Sequence, residues 1–191
     1  TFDDGPDPDY TGRLLDLLKK EEVKAAFFVV TREAVKEEAL IDRMLSEGHV
    51  VGFHSMDHQN AMVRGYLHTR KDFRTGSEFM KRKGISDIWY RPPWGLTNLF
   101  SWHLARKYGM KMVLWEVMAE DWERGATAGS IRKKCLSRVK DGSILCLHDG
   151  GRRTGGAPGA PEKTLEALTY VIPALKEAGC RFILPSEAVF R

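Results

Sequence analysis

The sequence predicts an α/β protein, a closed or nearly closed but distorted (β/α) barrel of about seven parallel strands, and three observations carry that prediction. Apolar runs of strand length alternate with amphipathic helical stretches along the 191 residues. Glycines stand where the helical patterns should stop, at Gly48, Gly84, Gly109 and Gly179. Polar residues gather at or just after the C-terminal ends of the strands, the ends that meet at one face of a βα barrel.

Each element follows in order. Asp3 and Asp4 should close a first strand that starts upstream of Thr1, so that strand is read as truncated; the chain opens on Thr with no signal-like apolar region and reads as the inside of a longer product. A helix near Tyr10–Lys20 places Leu14, Leu15 and Leu18 at helical spacing. Strand Lys24–Val30 leads to a helix near Glu33–Glu47, strand His49–His54 to one near Leu67–Lys83, and strand Ile88–Arg91 to one near Asn98–Tyr108. Strands Lys111–Val117, Ser143–His148 and Arg181–Leu184 alternate with helices near Ser130–Lys140 and Glu162–Ala178. The architecture is TIM-barrel-like; an open doubly wound sheet is the rival, and no GxGxxG or GxxxxGK[ST] loop supports it.

Composition narrows the class. At 191 residues the chain reads as one domain, residues 1–191, expected to act as a monomer. Apolar content of 42% and charged content of 29% belong to a folded globular chain, and no apolar stretch approaches the ~20 residues of a membrane span. The balance of 30 Lys and Arg against 26 Asp and Glu is spread without a block of one sign, so nucleic acid is not expected as a partner. Cys135, Cys146 and Cys180 are isolated and argue against a disulfide framework; Cys146, in a strand pattern, reads as a small buried hydrophobe.

The opening Thr1-Phe2-Asp3-Asp4-Gly5-Pro6 sets two carboxylates side by side, and like charges in a cleft need cations or basic partners. His54 and His58 stand four residues apart in His-Ser-Met-Asp-His; with Asp4 they make a two-His, one-carboxylate set that leaves a position open for water, the pattern of a catalytic metal site. Such a set accepts zinc, cobalt, nickel or manganese, and zinc is expected. Asp3, beside the metal but not bound to it, is then left to take a proton, with Arg91 keeping it ionised. Pro92-Pro93 fix a turn that aims the Trp94 N–H at an oxyanion. His148 ends the run Ile144-Leu145-Cys146-Leu147 and suits a general acid, with Asp121 as its carboxylate partner and Asp149 as the alternative. Trp94 and Trp122 adjoin these residues, whereas Trp89, Trp102 and Trp115 are expected in the core.

These residues resemble the polysaccharide deacetylases, the NodB-homology or carbohydrate esterase family four enzymes, through five motifs in order over essentially the whole chain. The resemblance implies Asp3 as base, Asp4, His54 and His58 as metal ligands, Arg91 holding the base, Asp121 tuning His148, and His148 as acid. It implies a substrate pocket at Pro93, Trp94, Trp122, Cys146 and Leu147; Trp94 stands where the family commonly has Tyr, and Cys146 where it usually has a Leu against the acetyl methyl. The implied activity is metal-dependent removal of N-acetyl groups from N-acetylglucosamine-containing glycan such as peptidoglycan or chitin-like oligomers, outside the cytoplasm or at the cell envelope. An O-acetyl esterase acting on acetylxylan is the alternative, and a catalytically idle glycan-binding module a third reading.

Overall fold

The computed structural model describes residues 1–151 and 154–187. Seven strands, β1 (Phe2–Asp3), β2 (Ala26–Val29), β3 (Val50–Phe53), β4 (Trp89–Tyr90), β5 (Lys111–Met112), β6 (Val117–Met118) and β7 (Leu145–His148), form one sheet in the order β5-β4-β3-β2-β1-β7-β6. Every pairing is parallel. Between the strands run α1 (Thr11–Lys20), α2 (Thr31–Ala34), α3 (Glu38–Ser46), α4 (Tyr66–Arg82), α5 (Leu99–Lys107), α6 (Ala128–Arg138) and α7 (Ala160–Glu177). The strand order is sequence order taken around a ring that is open between β5 and β6, the distorted barrel read from the sequence.

Two predicted strands differ. The run Lys111–Val117 divides into β5 and β6, which lie at opposite edges of the sheet, and residues 113–116 cross the opening between them. Val113 still donates to the Tyr90 carbonyl at 3.0 Å, and by Glu116 the chain donates instead to Ile144 on the far side, at 3.2 Å. The run Arg181–Leu184 forms no strand. Both neighbours of β7 are already β1 and β6, so the chain leaving α7 meets no open ladder there. The predicted helix Glu33–Glu47 is interrupted into α2 and α3.

Strand register decides which side chains face the site. Phe2 pairs with Phe27 and Leu147, and Asp3 with Phe28 and His148. Because side chains alternate along a strand, Phe2, Phe27 and Leu147 share the face packed on the helices, where Phe2 and Phe27 stack at 5.3 Å. Asp3, Phe28, Cys146 and His148 face the barrel interior, with a small apolar floor of Ala26, Phe28, Trp89 and Val113. On the helix side, Phe53 and Tyr90 pack with Phe73 of α4. Leu14, Leu15 and Leu18 of α1 are buried as their spacing predicts. Gly48, Gly84, Gly109 and Gly179 all adopt positive φ just past helix ends, a conformation that costs glycine nothing.

Candidate active site

The sheet brings Asp3, His54, Arg91 and His148 to one face, because each ends or immediately follows a strand. Asp3 and Asp4 part company through the backbone. Asp3 stays in strand register, whereas Asp4 takes a φ of 77°, which swings its carboxylate away from the ladder. Asp4 Oδ1 then lies 3.4 Å from His54 Nε2 and 3.1 Å from His58 Nε2, and one ligand atom from each residue falls within 4.8 Å of the others. All three residues are buried.

This donor set fits a divalent ion. His54 Nδ1 lies 2.7 Å from the Arg91 carbonyl; a carbonyl only accepts, so the proton sits on Nδ1 and the Nε2 lone pair faces Asp4. Burial pulls the His58 imidazole down to about 4, so it stands neutral, as a ligand must. Burial alone would raise the Asp4 carboxyl, but the His54 and His58 imidazoles beside it hold it well below the carboxylate range. Thr154 Oγ1 donates to its other oxygen, Oδ2, at 2.6 Å.

Arg91 is fully buried and holds Asp3. Its Nη1 donates to Asp3 Oδ1 at 2.8 Å and to Thr1 Oγ1 at 2.7 Å, and its Nη2 donates to the Leu114 carbonyl at 2.8 Å. The guanidinium lies over the Phe28 ring, 4.1 Å from its centroid. One side chain thus neutralises Asp3 and also satisfies a carbonyl of the segment that crosses the barrel's opening. Burial would raise the Asp3 carboxyl, yet Arg91, with His54 and His148 adding to it, brings the group below its ordinary value and keeps it ionised. The Cys146 thiol donates to Asp3 Oδ2 at 3.4 Å; burial and the Asp3 charge push that thiol well up, so it is a neutral donor.

His148 faces Asp3 from β7. Its Nδ1 donates to Asp121 Oδ1 at 2.8 Å, and Asp121 Oδ2 accepts from the His148 backbone N–H and from Thr164 Oγ1, each at 2.8 Å. Burial opposes a charge on His148, but the Asp121 carboxylate outweighs it and lifts the imidazole to about 9. Trp122 sets its ring edge against His148 at 5.2 Å, and Trp94 sets its own against His58 at 4.2 Å. A buried carboxylate beside a candidate metal triad, with a protonated imidazole next to it, suits hydrolysis that needs both a base and an acid.

The family profile described as polysaccharide deacetylase matches residues 1–113. The chain belongs to the polysaccharide deacetylase family. It is 33% identical over 189 residues to a peptidoglycan-N-acetylglucosamine deacetylase of Bacillus cereus, covering 98% of this chain and 85% of that one. A chitooligosaccharide deacetylase of Bradyrhizobium is 31% identical over 185 residues, covering 94% of this chain and 84% of its own. In structure the chain resembles a peptidoglycan N-acetylglucosamine deacetylase crystallised with 4-naphthalen-1-yl-N-oxidanyl-benzamide, with a TM-score of 0.87 and 32% identity over 96% of this chain and 83% of that one.

In this polysaccharide deacetylase the residues singled out from the sequence meet at one place, with distinct positions. Asp3, Asp4, His54, His58, Arg91, Asp121 and His148 form the connected cluster described above. Asp149 turns away, accepting from Thr11 Oγ1 at 2.6 Å. Leu147, expected at the pocket, packs in the helix-side core at 1% exposure, because it is out of phase with Cys146 and His148 on β7. Cys146 and Pro93 are also buried, Cys146 beneath Asp3. Trp102, expected in the core, is 54% exposed.

Three supporting residues are not among those the sequence reading singles out. Thr154 and Thr164 reach Asp4 and Asp121 from loop and helix positions with no motif around them. Asp72 on α4 accepts from the Ser55 hydroxyl at 3.2 Å and the Met56 N–H at 2.5 Å, bracing the segment between the two histidines. An acid next to Phe73 on the buried face of a helix was the available signal for Asp72.

Proposed function

We propose that the chain hydrolyses the N-acetyl group of N-acetylglucosamine residues in peptidoglycan or chitin-like oligomers and releases acetate. The observation that supports this best is the separation of Asp3 from the Asp4–His54–His58 set: Asp3 is clamped by Arg91 yet only 4.0 Å from His54 Nε2. A divalent ion held by Asp4, His54 and His58, zinc by preference of the donor set, would supply Lewis acidity at the acetyl carbonyl and acidify water. Asp3 takes the proton of the attacking water. The Trp94 N–H donates to the carbonyl oxygen as charge gathers there. His148, charged and oriented by Asp121, gives its proton to the departing nitrogen, so the C–N bond breaks to leave a free amine and acetate. Trp122 and the exposed Trp94 ring line the approach to this centre.

The relatives named above are a peptidoglycan-N-acetylglucosamine deacetylase and a chitooligosaccharide deacetylase, and on that basis the chain is read as working at the cell envelope or outside it; its length alone supports reading the 191 residues as one catalytic domain, taken here as a monomer. Acetate release from N-acetylglucosamine oligomers, peptidoglycan and acetylxylan tests the reading. Release from the amide-bearing glycans supports it. Release from acetylxylan alone would make the chain an O-acetyl esterase, and neither release nor bound metal would leave an idle binding module.

A further inference from the structure

The C-terminal face of the barrel carries a second feature that the reaction does not use. Asn98 Nδ2 donates to the Ala61 carbonyl at 2.5 Å and to the Arg64 carbonyl at 3.4 Å, drawing the turn at residues 61–64 against the start of α5. Tyr66 and Phe100 meet edge to face at 5.7 Å and tie the first turns of α4 and α5 together. On this joined tip Met62, Val63, Leu67 and Leu99 are 60%, 75%, 77% and 85% exposed. Four large aliphatic side chains in water at one place mark a contact surface.

Both helices then repeat one layout. On α4 the outward face runs Leu67, Arg70, Lys71, Arg74; on α5 it runs Leu99, Trp102, His103, Arg106, Lys107. On α4 the cations follow in the next two turns, roughly 5–10 Å past Leu67, and on α5 Trp102 and His103 intervene before Arg106 and Lys107, roughly 10–12 Å past Leu99, at ~1.5 Å per residue. Arg64, Arg70, Lys71, Arg106 and Lys107 are exposed, and none pairs with a carboxylate among the described residues. Residues 88–115 contain no acid at all, and over 58–77 the single acid is Asp72, whose carboxylate is spent on Ser55 and Met56.

We propose that the tips of α4 and α5 dock on an anionic lipid bilayer, with Met62, Val63, Leu67 and Leu99 entering the headgroup–acyl boundary and the cations behind them meeting lipid phosphates. A bilayer is layered by depth, apolar inside and anionic outward, and both helices follow that order, apolar at the tip and cationic behind it. A sugar polymer would stack on rings, and Tyr66, Phe100 and Trp102, at 37%, 40% and 54% exposure, stand less far into solvent than the four aliphatic side chains that lead the tip.

The test is co-sedimentation of the purified protein with vesicles of equal phosphatidylglycerol and phosphatidylcholine, and with phosphatidylcholine alone. Binding to the anionic vesicles is expected, weakened by salt and at least ten-fold weaker on phosphatidylcholine. Leu67→Asp with Leu99→Asp should lower the partition ten-fold or more, and Arg70→Gln with Lys71→Gln by about five-fold per cation removed. Both pairs should keep the wild-type melting temperature and the wild-type rate on soluble oligomers. Three results would overturn the proposal: no partition onto anionic vesicles at low salt, partition indifferent to both pairs, or a light-scattering mass showing that Leu67 and Leu99 hold two copies together. In the second case, a rise in KM for soluble oligomers in these variants would assign the tip to glycan.

Discussion

Asp121→Asn isolates what the carboxylate does for His148. The wild-type imidazole sits at about 9 rather than its ordinary 6.5, which favours the protonated form by roughly 3 kcal/mol at ~1.4 kcal/mol per tenfold. Burial acts in the opposite direction, so once the anion is gone the imidazole should fall to its ordinary value or below it. An asparagine also offers one acceptor oxygen where Asp121 uses two, for the His148 ring, its backbone N–H and Thr164. At pH 8 the protonated fraction then drops about 30-fold, and the alkaline limb of kcat/KM moves down by two pH units or more. The assay is acetate release from N-acetylglucosamine oligomers between pH 5 and 10, with metal content checked by elemental analysis. An alkaline limb that stays in place while metal is retained would refute the assignment of His148 as acid and Asp121 as its partner.

Asp4→Asn should empty the metal site, whereas Asp3→Asn should keep the metal and lower kcat by a factor on the order of 10²–10⁴; equal metal loss in both, by elemental analysis, would contradict the division of roles. Arg91→Met should destabilise by about 3–5 kcal/mol, since it leaves a buried carboxylate without its cation; denaturant titration measures it. Thr154→Val should weaken metal affinity about ten-fold, and Thr154→Ser should restore it, read by competition with a chelating indicator. Burial raises the Asp149 carboxyl to about 7 from 3.8, so the folded state holds that proton more tightly than the unfolded chain, and stability falls as pH rises from about 4 to 7. In chelated protein, Asp149→Asn should flatten that fall, visible as a smaller drop in Tm between pH 5 and 8.

Much of the site was legible because its members obey local rules. Asp3, His54, Arg91 and His148 each sit at the end of an apolar run, and such ends converge wherever parallel strands alternate with helices. What escaped depended on contacts between distant segments. The division of Lys111–Val117 follows from ring closure, which no pattern within seven apolar-rich residues encodes. The resemblance implies Leu147 at the pocket, but strand alternation sends it to the helices with Phe2. Trp102 follows the outward stripe of α5, and its bulk misled where its phase would not have.

The deepest dependence lies between Arg91 and the gap in the barrel. A ring of seven strands that does not hydrogen-bond between β5 and β6 leaves the Val113 and Leu114 carbonyls without a ladder, and a carbonyl left unpaired away from water is costly. Arg91 answers that need with Nη2 on Leu114 and answers the charge of Asp3 with Nη1, while its own carbonyl fixes the tautomer of His54. The residue that completes the fold therefore also ionises Asp3 and aims His54 at Asp4. A lysine at this position could supply the charge but not the planar fork that reaches both partners. Arg91→Lys should accordingly lower activity and stability together, and a variant that lost one while keeping the other would show the two tasks to be separable.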